Sequence, residues 1–263
     1  MSPALPSELA HALARTQSAF DPFAPWALLA LLVLAGALLA RHRQRALALS
    51  GARSLPGAPR LDLPLAALLA LAWGALAWAV HTGPQAWVAR LDAQATHWAQ
   101  SASTPALRWL ALRLSDVGDV TALAVLTLIV TAWLWRQRAR GLAVAWLLSI
   151  SANSLAVRVL KNLFERARPD SAAALVTSGD SFPSGHAAGA LMVFGLLAWG
   201  LCGRAPPRWR WCIVALAALL IAGIAASRVL LGVHYLSDVL GGLLWSAMAL
   251  LLTVGMVRRA GLW

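Results

Sequence analysis

His234 and Asp238 stand four residues apart near the end of the chain. On a helical turn, residues at that spacing share a face, so the carboxylate can hydrogen-bond the imidazole. Such a bond fixes the tautomer and leaves the other ring nitrogen free. Asp238 is also the only acid after Asp180. A lone acid at the mouth of an apolar run needs a reason. A structural His–Asp cap is the alternative reading of the pair.

Two further groups suit an anion. Ser181-Phe182-Pro183-Ser184-Gly185-His186 comes directly before an apolar run. Proline and glycine set a turn there, and Ser184 or a neighbour can cap the helix that follows. Backbone N–H groups at a helix N-terminus are unpaired and form a natural anion site. The second group is cationic. Lys161 is the only lysine in the chain, against 21 arginines, and Arg166 and Arg168 follow it. Arg228 precedes His234. A solvated helix end with snorkelling side chains is the plainer account of the 161–168 cations.

What must position these residues is read from composition. The 263 residues are 60% hydrophobic and only 12% charged, whereas soluble domains average about 25% charged. Apolar runs fall at 22–40, 63–80, 120–135, 141–160, 187–202, 211–227 and 239–257. A helix needs about 20 residues to cross the hydrocarbon core. The expected fold is therefore all-α, a polytopic transmembrane helical bundle of about seven spans.

The breaks at 41–60, 136–140, 204–210 and 258–259 are arginine-rich. If all seven runs span, these four lie on one side, which the positive-inside rule makes cytoplasmic. Two spans separate His186 from Arg228. Two crossings return the chain to the side it left. Lys161, Arg168, Ser184, Gly185, His186, Arg228, His234 and Asp238 can then all meet at one face, outside a cytoplasmic membrane.

The expected organisation is a tail (1–21), N-terminal spans with an interfacial segment (22–119), a core (120–257) and a cytoplasmic end (258–263). The first 20 residues lack the pattern of a signal peptide. Within 81–119, Trp87 and Trp98 are spaced to share a helical face, which suits a helix on the membrane surface or a packed Trp belt. Pro105 is expected to break that segment. Cys202 and Cys212 form no disulfide or metal pattern. The net charge of +12 does not point to nucleic acid, since membrane topology already explains the arginines.

At these positions the chain resembles the type 2 phosphatidic acid phosphatases. Their signature has three pieces, and each has a counterpart here. Lys161 is followed after six residues by Arg168-Pro169. Pro183-Ser184-Gly185-His186 is the second piece. Ser227-Arg228, five residues, His234, three residues and Asp238 make the third. The resemblance covers roughly 120–257 and implies a membrane-bound lipid phosphatase of monoesters or pyrophosphates. It implies that Lys161, Arg168, Ser184, Gly185 and Arg228 hold the phosphate. It also implies that His234 attacks phosphorus, Asp238 orients it, and His186 serves as acid and then base, without metal or cofactor.

The same pocket occurs in vanadium-dependent haloperoxidases, which are soluble. A lipid phosphotransferase would share it, and a lipid transporter is the reading of a different class. Undecaprenyl pyrophosphate, phosphatidic acid, phosphatidylglycerol phosphate and lipid A phosphates all remain candidate substrates. Oligomeric state is open.

Overall fold

The computed structural model describes residues 62–82, 86–170 and 179–262. The expected tail and the 22–40 span lie outside the described residues. Eight helices follow in order: α1 Asp62–His81, α2 Ala86–Ser101, α3 Pro105–Val117, α4 Val120–Arg136, α5 Arg140–Phe164, α6 Gly185–Arg204, α7 Pro207–Leu230 and α8 Leu236–Arg259. No strand occurs among the described residues.

Local chemistry sets the boundaries. Thr104 Oγ1 accepts from Leu107 N at 3.2 Å, and Pro105 takes the first helical position of α3, where its missing N–H costs nothing. The break expected at Pro105 is thus present, between α2 and α3. Asp119 caps α4 through Thr121 N at 2.8 Å. Helix α5 stops at Glu165, whose φ of 44° is left-handed. That turn sends Arg166 and Arg168 back toward the bundle instead of onward along the helix axis.

Helices α1, α5, α6, α7 and α8 are each long and apolar enough to cross a membrane. Helices α3 and α4 pass that test only together, bent by 44°. The six described runs expected to span fall on α1, α4, α5, α6, α7 and α8. Helix α4 alone has 17 residues, at the short end for a crossing.

The central pair is α6 and α8: α6 packs on α7, α8, α5 and α4, and α8 packs on α1, α6, α5 and α2. Between membrane helices the drive is close packing and interhelical hydrogen bonding, since lipid is as apolar as leucine. Ala187, Ala188 and Ala190 of α6 are fully buried. Ser246 Oγ on α8 donates to Asn153 Oδ1 on α5 at 3.0 Å, and Trp146 Nε1 donates to Thr127 O at 3.2 Å. Cys202 and Cys212 are free thiols.

The ends of the bundle differ. Arg136, Arg140, Arg204 and Arg258 stand at the ends of α4, α5, α6 and α8 that share one side of the bundle, where Arg204 borders an apolar hollow lined by Trp133, Leu142, Leu201 and Val257. The other end gathers the C-termini of α5 and α7 and the N-termini of α6 and α8.

Candidate active site

The clustered residues sit at helix ends because the chain turns there. Lys161 lies in the last turn of α5, Ser184 directly before α6, Arg228 in the last turn of α7, and Asp238 in the first turn of α8. The span count therefore placed them correctly: one end of the bundle holds them all. Two helix N-termini also open here, each with the positive end of its dipole; that of α6 has no side-chain cap bond, whereas that of α8 is capped by Asp238 and Asp92.

His234 is 3% exposed and Asp238 is 0% exposed. The imidazole Nδ1 lies 3.4 Å from Asp238 Oδ2 and 3.3 Å from Ser181 Oγ. The direct bond expected from spacing is thus long, and Ser181 shares it. Ser181 Oγ donates to the same Asp238 oxygen, so the ring N–H at Nδ1 points at a hydroxyl already polarised by the carboxylate. The opposite nitrogen, Nε2, lies 3.3 Å from Arg168 Nη1. A guanidinium has only donors, so the lone pair belongs on Nε2. Burial pushes the imidazole down to about 4, against the raising pull of Asp238. The ring is neutral at neutral pH.

The cations frame this ring but also bind the loop. Lys161 Nζ donates to the carbonyls of Asp180 and Ser181, the latter at 3.2 Å. Arg168 Nε donates to Gly179 O at 2.8 Å and Nη1 to Val233 O at 2.9 Å. Both side chains are therefore held toward the centre by backbone oxygens of the 179–181 and 233 segments. Arg228 is 6% exposed, and its Nη1 donates to Ser115 Oγ on α3. Its Nε has no partner, and neither has the fully buried Ser184 Oγ. Ser184 thus occupies the cap position expected of it without making a side-chain cap bond. A buried polar group left unpaired costs about 1–3 kcal/mol, which an anion bound here would relieve. His186, half-buried on the first turn of α6, is close enough to feel the charges of Arg228, Asp119 and Arg168.

Packing behind the site seats the Ser181–His186 turn. Phe182 is wholly buried, with its ring 4.8 Å from Phe164 and 6.4 Å from Trp73. A Cβ at Gly241 would lie 2.4 Å from that ring, and one at Gly242 would lie 2.5 Å from Ser184 O. The glycine pair lets α8 approach the start of α6 to backbone contact.

The chain is similar to known proteins over this part of its length. The sequence model of the PAP2 superfamily matches residues 142–262. Residues 142–262 are thus similar to the PAP2 superfamily. Phosphatidylglycerophosphatase B of Bacillus subtilis (strain 168) is 33% identical over 131 residues, 49% of this chain and 64% of that protein. Lipid A 1-phosphatase of Rhizobium johnstonii is 32% identical over 142 residues, 48% of this chain and 54% of that protein. The chain thus spans less than two thirds of the length of either relative. The crystal structure of a transmembrane PAP2-type phosphatidylglycerolphosphate phosphatase from Bacillus subtilis superposes with a TM-score of 0.68 at 29% identity, covering 74% of this chain and 96% of that one. The PAP2 match starts later than the resemblance at 120–257, leaving α4 ahead of it.

The structure adds polar partners that spacing did not single out. Asp92 on α2 is 3% exposed and accepts from Ser237 N at 2.8 Å and Ser237 Oγ at 2.7 Å. Arg166 joins Asp92 to Asp238, at 2.8 Å and 2.6 Å. Burial disfavours its charged form, but the two carboxylates outweigh this and hold the guanidinium above its ordinary value. Asp92 carried a usable signal: it is the only acid in 86–101, the same oddity that marks Asp238.

Proposed function

We propose that this protein is an integral membrane lipid phosphatase that removes phosphate from a lipid monoester or pyrophosphate through a phosphohistidine at His234. The observation that carries this reading is the unlike surroundings of the two imidazole nitrogens. Nδ1 is engaged by Ser181 and Asp238, while Nε2 keeps its lone pair on the side of Arg168. A neutral imidazole held this way is a usable nucleophile at neutral pH.

Phosphoryl transfer asks a protein mainly for positioning and charge neutralisation. Lys161, Arg168 and Arg228 supply the charge, with Ser184 Oγ and the N–H of Gly185 completing the cradle. His234 Nε2 attacks phosphorus and the bond to the lipid oxygen breaks. His186 gives that oxygen a proton and then takes one from water, which cleaves the P–N bond and frees phosphate. Asp238 holds the ring and stabilises its imidazolium form, as the aspartate of a hydrolytic triad does. The chemistry uses no metal or cofactor. The names of the relatives support phosphatidylglycerophosphate first among substrates, with lipid A phosphates beside it; undecaprenyl pyrophosphate is proposed from the outward-facing site alone. The basic end of the bundle, by the positive-inside rule, favours a site on the periplasmic or exterior side.

The test uses the purified chain in detergent, with a chelator present, against a panel of these lipids and phosphatidic acid. Release of inorganic phosphate is expected, with acid-labile, alkali-stable label trapped on His234 when labelled substrate is quenched. His234→Ala should fold and lose turnover by at least about 100-fold. Near-normal turnover in that variant, or label elsewhere, overturns the nucleophile.

A further inference from the structure

Arg166 lies two residues before Arg168, yet its surroundings are different. Nη1 donates to Asp238 Oδ1 at 2.6 Å and to Ser237 Oγ at 2.7 Å, and Nη2 donates to Asp92 Oδ2 at 2.8 Å. Its guanidinium carbon stands 4.4 Å from the centre of the Tyr235 ring. Both terminal nitrogens are thus committed to carboxylates, whereas Arg168 Nη1 abuts the reactive side of His234. Three of the five N–H groups of Arg166 are taken up by Ser237, Asp238 and Asp92.

The Asp238 carboxylate is correspondingly divided. Oδ1 receives Arg166. Oδ2 receives Ser181 Oγ, the N–H of Tyr235 at 2.9 Å, and faces His234 Nδ1. Rotation of this carboxylate would break bonds on both oxygens. Ion pairs with a buried carboxylate are weak contributors to stability, because desolvation offsets their attraction. Groups that orient the ligands of a metal typically alter affinity or activity about 10- to 100-fold when changed, and the same scale is expected of a group that orients a nucleophile.

We propose that Arg166, held by Asp92, is a positioning residue for His234: it locks the Asp238 carboxylate so that only Oδ2 faces the imidazole, and Asp92 makes that lock depend on the seating of α2. This rests on the reading of His234 as the reacting group. Asp92 couples α2 to α8 twice, through Arg166 and through the Ser237 N–H at the start of α8. Helix α2 carries exposed Trp87 and Trp98 on its outer side, so the element that completes the lock is one that meets the membrane.

The experiment compares Asp92→Asn, Arg166→Lys, Arg166→Gln and the double variant D92N/R166Q, with phosphatidylglycerophosphate and phosphatidic acid in detergent as probes. Folding is followed by monodispersity and melting. In Asp92→Asn and Arg166→Lys, kcat should fall about 10- to 100-fold while KM stays within about twofold, as expected for positioning and not substrate binding. The double variant should be no slower than Arg166→Gln by more than about threefold, because linked residues are not additive.

The pH profile supplies a readout that a general loss of structure does not move. His234 faces Asp238 from α8, Arg168 and Lys161 from the end of α5 and beyond, and His186 from α6. Removing the Arg166 charge leaves Asp238 freer to stabilise the imidazolium, so Arg166→Gln should raise the midpoint of the acid limb. Asp92→Asn should not raise it.

Unchanged kcat in Asp92→Asn and Arg166→Lys overturns the proposal. A raised KM at constant kcat overturns it too, making Arg166 a substrate ligand. So does a fall in kcat for Arg166→Gln with the midpoint unmoved. Should the arginine variants fail to fold, Asp92→Asn decides alone. If the wild type releases no phosphate from either lipid, the proposed function fails instead. The lock is then read by NMR titration of His234 in histidine-labelled wild type and Arg166→Gln, where an equal midpoint overturns it.

Discussion

The backbone N–H of Ser184 donates to the carbonyl oxygen of Asp238 at 2.9 Å. Through this bond the turn ahead of α6 and the first turn of α8 form one unit. Ser184 and Gly185 on one side, and His234 and Asp238 on the other, cannot shift independently.

Gly242 makes that unit possible. A Cβ there would sit 2.5 Å from Ser184 O and 3.3 Å from Ala188 N, and both are backbone atoms that cannot swing aside. Gly242→Ala should therefore push the start of α6 away from α8. Overpacking of this kind typically costs about 1–3 kcal/mol. We expect a lower melting temperature and a fall in phosphate release of about 100-fold, since misplacement by about 1 Å can cost that much. Wild-type turnover in this variant would show that the contact does not set the site.

The depressed imidazole gives a pH dependence with a definite sign. His234 is held near 4 in the folded protein, against about 6.5 in an unfolded chain. Between these values the unfolded state binds the proton and the folded state does not, so stability rises with pH there. The contribution is complete above about 6.5 and is lost as pH falls toward 4. Melting temperature should fall over that interval in the wild type and fall less in His234→Gln. Equal slopes for the two proteins would rule out this residue as the source.

Away from the site, the Ser246–Asn153 bond ties α8 to α5 within the apolar layer. Ser246→Ala leaves the Asn153 side chain without that donor. Side-chain hydrogen bonds between membrane helices contribute about 0.6–2 kcal/mol. We expect a melting temperature lowered accordingly, with phosphate release unchanged. A loss of activity larger than the loss of stability would place the pair in the chemistry instead.

Much of this site was legible before any coordinates because span parity is coarse. Whether Lys161, His186 and His234 share a face depends on how many times the chain crosses, not on where each helix begins. An error of several residues at the 120–135 or 187–202 boundary leaves the answer intact. Asp92 escaped that logic because its partners, Arg166 and Ser237, are 74 and 145 residues away. The docking of α2 on α8 is a tertiary event with no periodic trace. Ser115 was hidden for the same reason, since its role depends on α3 lying against α7. Ser181 lay inside the stretch that spacing selected, but the direction of its hydroxyl follows from the turn at Phe182 and Pro183. The end of α5 was also unreadable: a left-handed cap usually calls for glycine, and here Glu165 adopts it.

The separation of the two bundle ends has a consequence for supply. Every clustered side chain stands at one end, and Arg136, Arg140, Arg204 and Arg258 stand at the other. For the proposed activity, a lipid can offer its phosphate only from the leaflet whose head groups meet the first end. Molecules in the opposite leaflet are out of reach until something carries them across. A membrane holding this protein would then drain one half of its phosphorylated pool at the speed of catalysis and the other half at the speed of lipid flipping.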